Sequence, residues 1–137
     1  MITSDLNAQE LVVDGPVRVA FPVTGQTAAA SVYFELDPGE AVGSHADSAE
    51  EIVLVMAGTA EAVVGDERGV LAEGQLAVIP ANVPHDVRNV GDDVVKVVGF
   101  FAAGTVLSTF AHPPFPGGPT LFVNGQPMVP VDTTLPV

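Results

Sequence analysis

Glycine and proline interrupt this chain so often that little room is left for helices. Fourteen glycines and twelve prolines separate short runs rich in valine, alanine and phenylalanine. That is the texture of many short strands joined by turns, and it predicts a β-sandwich or barrel. The runs place strands at Leu11–Asp14, Val17–Val23, Ala28–Asp37, Glu51–Ala57, Thr59–Val64, Val70–Leu71, Gln75–Ile79, His85–Asn89 and Val94–Ala102. Gly65-Asp66-Glu67-Arg68-Gly69 reads as a compact hairpin turn, and Gly91-Asp92-Asp93 as a second turn. With 137 residues, 47% of them hydrophobic, the chain can bury one core but not comfortably two. No internal duplication is visible.

Two of these runs, Ile52-Val53-Leu54-Val55-Met56-Ala57 and Val94 through Ala103, are almost continuously apolar. A strand with one wet face alternates, so both runs are expected to be covered on both faces, by a second subunit or by the chain's own ends. The segment from His112 to Val137 is different. It carries seven prolines, yet keeps Leu121-Phe122-Val123 and Met128-Val129 around an Asn124-Gly125 turn pair. The expected division is a β-barrel over residues 1–111 and a proline-rich arm over 112–137 packing on it.

Charge narrows the function. Seventeen acidic residues face only Arg18, Arg68, Arg88 and Lys96, a net charge of −13. No basic patch can be built, so nucleic acid and anionic membranes are poor partners. The absence of cysteine excludes disulfides, thiolate metal sites and a cysteine nucleophile. The opening residues lack a signal-peptide pattern and no apolar run approaches membrane length, so a cytoplasmic protein is expected.

The chemistry concentrates in two stretches, 39–58 and 74–89. His45, Asp47 and Glu51 have the same parity, and on an extended segment they face one side. If Glu51 points inward with Val53 and Val55, a carboxylate stands beside the core with no nearby lysine or arginine. Such a group is costly unless paired or bound to metal. His85 lies on another strand, approached through Pro80 and Pro84. Two histidines and one carboxylate suit non-haem iron(II), and also manganese, nickel, copper or zinc. Each residue alone also fits a solvated surface role; it is their combination that points to a metal.

The combined spacing resembles the cupin superfamily. Its first motif is met by Gly39, His45, Glu51 and Gly58, with Asp47 where the family has a second histidine. Its second is met by Gly74, Pro80, His85 and Asn89, with Asn82 in a glycine place. The resemblance spans about Leu36 to Ala102 and implies a small antiparallel jelly-roll β-barrel. It also implies that His45, Glu51 and His85 ligate a metal. Asp47, shorter than histidine, is open to direct ligation, ligation through water, or proton transfer. If it ligates, Asp47 and Glu51 together neutralise a divalent ion, and anionic chelating substrates are disfavoured. Asn tolerates positive φ better than most residues, so Asn82 is compatible with the turn.

These residues lead to a metal-dependent enzyme, with Glu51 and Asp47 as its catalytic groups and iron(II) dioxygenation as the leading chemistry. Non-redox lyase, isomerase or cyclase chemistry uses the same parts, and a small-ligand-binding barrel without catalysis is the third reading. With few cations and candidate walls at Val53, Val55, Val78, Val87 and Phe100, the substrate is expected to be neutral and partly apolar. A homodimer is expected from the two-sided apolar strands. Arg88 and His112 read as surface charges, and Tyr33 as a core tyrosine.

Overall fold

The computed structural model describes residues 1–12, 17–25 and 27–128. Apart from a 3-10 turn at Leu6–Ala8, its regular structure is all strand. The strands are β1 (Arg18–Val23), β2 (Ala30–Leu36), β3 (His45–Asp47), β4 (Glu51–Ala57), β5 (Thr59–Val64) and β6 (Glu67–Ala72). They continue as β7 (Leu76–Ile79), β8 (His85–Asn89), β9 (Val95–Phe101), β10 (Leu107–Phe110), β11 (Leu121–Val123) and β12 (Gln126–Pro127). No helix of the described residues is long and apolar enough to cross a membrane.

The strands form two antiparallel sheets. One has the order β1-β2-β9-β4-β7, the other β12-β11-β10-β3-β8-β5-β6. Among the described residues no strand pairing joins the two, so the architecture is two sheets around a shared core and not a continuously hydrogen-bonded barrel. Leu36, Val53, Val55, Ile79, Val95 and Val97 from the first sheet fill the space with Ala60 and Val87 from the second.

Register decides which side chains enter that space. Glu51 lies opposite Phe101 and Ile79, and Val53 opposite Gly99 and Ala77, so odd positions of β4, β7 and β9 point inward. Ile52, Leu76, Val78 and Phe100 therefore point outward, where they are 39, 56, 52 and 48% exposed. Val78 and Phe100 are consequently not pocket walls, contrary to the sequence expectation. Val55 is a core residue that does not reach the pocket. On this outer face Ile52, Leu76, Val78 and Phe100 stay exposed, whereas Val98, opposite Tyr33, is buried. Tyr33 also points away from the interior side, is buried, and donates to Glu35 (2.7 Å).

Three elements differ from the sequence reading. His45–Asp47 and Leu107–Phe110 are strands that lie outside the predicted runs. The β5–β6 hairpin turns on Gly65-Asp66 alone, with Val64 opposite Glu67, so pairing resumes earlier than the Gly65–Gly69 turn implied. Of Leu11–Asp14, Val12 bridges Val19; residues 13 and 14, like Val129, lie outside the described residues. The β11–β12 hairpin turns at Asn124-Gly125, as its sequence predicts.

Several motif residues serve the frame. Gly58 has φ +81°, and a Cβ there would stand 2.8 Å from the Val94 carbonyl oxygen. Asn82 has φ +63°, the left-handed conformation for which asparagine is suited, and its N–H donates to the Asp47 carbonyl (2.7 Å). Asn89 is buried and fully used: Nδ2 donates to the carbonyls of Leu36 and Asp93, and Oδ1 accepts from Gly91 N–H.

Candidate metal centre

Strand pairing assembles the site. In β10-β3-β8, His45 lies directly opposite both His85 and Phe110, and Asp47 opposite Ser108. Side chains at directly opposed positions meet on one face. The His45 and His85 rings are 4.2 Å apart, and Phe110 stacks on the other face of His45 at 4.7 Å and 19°. Glu51 enters from the opposing sheet. Asp47, Glu51 and His85 are 3, 4 and 3% exposed, so the carboxylates are buried as their expected inward parity requires.

Both histidines are held alike. His45 Nδ1 donates to the Gly43 carbonyl (2.8 Å) and His85 Nδ1 to the Val83 carbonyl (2.9 Å). That bond commits Nδ1 and turns Nε2 into the site. His45, Asp47 and His85 each offer one ligand atom, all within 4.8 Å of one another. Glu51 lies just beyond this trio, with Oε1 3.5 Å from His85 Nε2. All four sequence-predicted residues thus meet in one place, with Asp47 more central than its departure from the motif implied.

The electrostatics are those of carboxylates and imidazoles buried together. Asp47 Oδ2 stands 3.2 Å from His85 Nε2 and 3.7 Å from His45 Nε2. Asp47 Oδ2 and His85 Nε2 are buried, and neither makes a hydrogen bond of good geometry. Burial disfavours a charged His85, yet the Asp47 and Glu51 carboxylates outweigh it and push its pKa up to about 10. Burial would raise the Asp47 carboxyl, but His85, His45 and Ser108 hold it below the usual range. Burial, with the Asp47 charge, raises Glu51. Burial and the neighbouring His85 lower His45. Two convergent nitrogens and two carboxylates, among them the unpartnered Asp47 Oδ2 and His85 Nε2, fit a divalent metal ion.

Sequence reasoning missed three contributors. Ser108 donates to Asp47 Oδ1 (2.5 Å). Asp86 Oδ1 accepts from Gly43 N–H (2.9 Å), bracing the residue whose carbonyl orients His45. Gly99 leaves the space that the Glu51 carboxylate occupies, since any Cβ there would collide with Oε2. The signal for the first lay in Leu107-Ser108-Thr109-Phe110, which places Ser108 and Phe110 on one face. Arg88 and His112 are exposed, as expected, and neither reaches the site.

The centre forms one end of a cavity of about 110 Å³ between the sheets, lined also by Val17, Val19, Val32, Val42, Val53 and Val87. A small two-sheet β protein with inward histidines and carboxylates at the end of an apolar cavity defines a class of metal-competent β-pocket proteins. The sequence matches the family described as "Cupin domain" over residues 32–101, about half of the chain, and the protein belongs to that family.

Solved structures agree on the fold. The cupin domain of Schizosaccharomyces pombe Cnp3 superposes with a TM-score of 0.67 at 14% identity, over 74% of each chain. An oxalate oxidase in complex with the substrate analogue glycolate gives 0.66 at 19% identity, over 79% of this chain and 65% of that one. Oxalate decarboxylase from Bacillus subtilis gives 0.65 at 20%, over 77% of this chain and 30% of its own length. At these identities the likeness is one of fold. No curated protein matches the sequence.

Proposed function

We propose that the protein is a metal-dependent enzyme acting on a small, neutral, partly apolar organic molecule, with iron(II) dioxygenation as its leading chemistry. The observation that carries the reading is the convergence of His45 Nε2, His85 Nε2 and the partnerless Asp47 Oδ2 at the end of an apolar cavity. His45, Asp47 and His85 would hold the ion, with Glu51 as a fourth ligand or a proton carrier. A bound divalent ion supplies Lewis acidity and, as iron(II), access to dioxygen chemistry. The chain's own residues do the rest. The Gly43 and Val83 carbonyls fix the imidazole orientations, and Phe110 shields His45 from water. Glu51, whose proton affinity is raised by burial, can hold a proton on a carboxylate oxygen beside His85.

Glu51 also favours a second reading, in which the metal acts only as a Lewis acid and Glu51 moves the proton in a lyase, isomerase or cyclase reaction. Metal analysis of untagged protein by plasma mass spectrometry separates the two. About one iron per chain, lost in His85→Ala and Asp47→Ala, supports oxygenation, to be followed by oxygen-uptake screens. Stoichiometric zinc, nickel or manganese that survives reconstitution supports the second reading. No metal after reconstitution with each ion overturns both.

The same proposal includes a homodimer. The outward apolar side chains of Ile52, Leu76, Val78 and Phe100 suit a two-fold contact between copies of this chain. Light scattering at micromolar concentration is expected to give twice the chain mass, and Phe100→Glu the mass of one chain. A wild-type monomer overturns this part.

A further inference from the structure

Six of the seven phenylalanines of this chain line one cavity: Phe21, Phe34, Phe101, Phe110, Phe115 and Phe122. The seventh, Phe100, points out of the opposite face. The rings come from both sheets and from the segment after β10. Phe110 stacks on His45 and meets Phe122 edge to face at 5.5 Å and 75°, and Phe122 meets Phe115 at 6.2 Å and 61°. Such arrays accept a further ring in offset or edge-on geometry. The polar lining is confined to one end: His45, Asp47, Glu51, His85 and Ser108.

Charge is as one-sided as shape. Arg18 is engaged by Glu35 and Asp37, Arg68 by Glu61, and Arg88 is exposed. Lys96 lies on the outward parity of β9, so no lysine or arginine reaches the cavity. Two buried carboxylates do. A divalent ion held with Asp47 and Glu51 would be neutralised by them, so the loaded site presents no net positive charge to a ligand. An anionic ligand entering an apolar space gives up its hydration without a cation to replace it. A cavity of about 110 Å³ is of the order of the roughly 150 Å³ apolar cavity that takes up benzene, enough for one ring and not for a fused system.

We propose that this cavity binds a neutral monocyclic aromatic compound, its ring among the phenylalanines and a neutral oxygen substituent toward His45, Asp47 and His85, and that it rejects small carboxylates. The proposal deepens the functional reading above and rests on this cavity being the substrate chamber. It separates the protein from the oxalate enzymes whose fold it shares.

The test is calorimetric titration of the purified protein with phenol, benzoate and oxalate, in the metal-free form and after loading with nickel(II), which is redox-silent here. Phenol is expected to bind saturably, benzoate at least tenfold more weakly, and oxalate not at all. Phe122→Leu, which keeps an apolar side chain and is checked for folding by circular dichroism, is expected to weaken phenol about tenfold. Phe100→Ala, on the outer face, is expected to leave it unchanged. Oxalate or benzoate binding as tightly as phenol, no saturable phenol binding, or phenol binding indifferent to Phe122→Leu would each overturn the proposal. Phenol binding without any uptake of nickel or other metals would overturn the metal-enzyme reading and leave this one standing. Nickel uptake with a preference for oxalate would do the reverse.

Discussion

Removing the Ser108 hydroxyl tests the site at its least redundant contact. The Ser108 Oγ–Asp47 Oδ1 bond is 2.5 Å long and is the one hydrogen bond made by the Asp47 side chain among the described residues. A hydrogen bond to a charged group contributes about 1.5–3 kcal/mol, and Asp47 is too buried for bulk water to replace it freely. For a chain of this size each kcal/mol corresponds to roughly 3–5 °C in Tm. Ser108→Ala is therefore expected to lower the Tm of the metal-free protein by roughly 5–15 °C at pH 7, with Ser108→Thr near wild type. The pH dependence has a definite sign. The carboxyl of Asp47 is held below its usual range in the folded protein, so its contribution is present above the ordinary carboxylate range and is lost as pH falls through the folded value. The gap between wild type and Ser108→Ala should narrow in acid. Competition with a chelator is expected to show a 10–100-fold loss in metal affinity, the usual size for removing a group that orients a ligand. Equal melting temperatures at pH 7 together with equal metal affinity would refute the reasoning.

Further outcomes follow from neighbouring contacts. Because the folded pKa of His85 is raised to about 10, the stability it contributes to the metal-free protein is full below about pH 6.5 and is lost as pH rises toward 10. Urea midpoints should fall across that window, and metal uptake at pH 8 should release protons, seen as a buffer-dependent heat. In Gly99→Ala the new methyl would collide with Glu51 Oε2 and stand 2.9 Å from Val32 Cγ1. That overpacking is expected to cost about 1–3 kcal/mol by urea unfolding, whereas Gly69→Ala, with nothing within 4 Å, should be nearly neutral. Asp86→Ala removes the acceptor of the Gly43 N–H and should weaken metal binding about tenfold in chelator competition, while Asp86→Asn, which keeps an oxygen there, should largely preserve it.

The candidate site residues were legible because they depend largely on short-range facts. Odd spacing put His45 and Asp47 on one face of β3 and the two motifs located His85; Glu51 is not on that face but reaches it from β4 in the opposing sheet, 3.5 Å from His85. The phase of the apolar strands was not legible. Ile52-Val53-Leu54-Val55-Met56 has no polar residue to mark the wet face, and Phe100-Phe101 can be read either way. Pairing with β2 and β4 sends Phe101 inward and Phe100 outward. Alternation in Leu107-Ser108-Thr109-Phe110 could mark a strand, but not the partner of Ser108. Its partner lies 61 residues away, and local pattern holds no information about pairing at that distance.

That separation also governs when the site comes into being. β3 holds His45 and Asp47 but is only three residues long, and its neighbours are β8 and β10, which follow it far along the chain. During synthesis His45 is made long before β10, the second sheet neighbour of its strand. Both of its pairings are long-range, so local contacts alone do not hold β3 in place. A chain cut before β10 would thus keep His45, Asp47, Glu51 and His85 and lose the strand that carries Ser108 and Phe110.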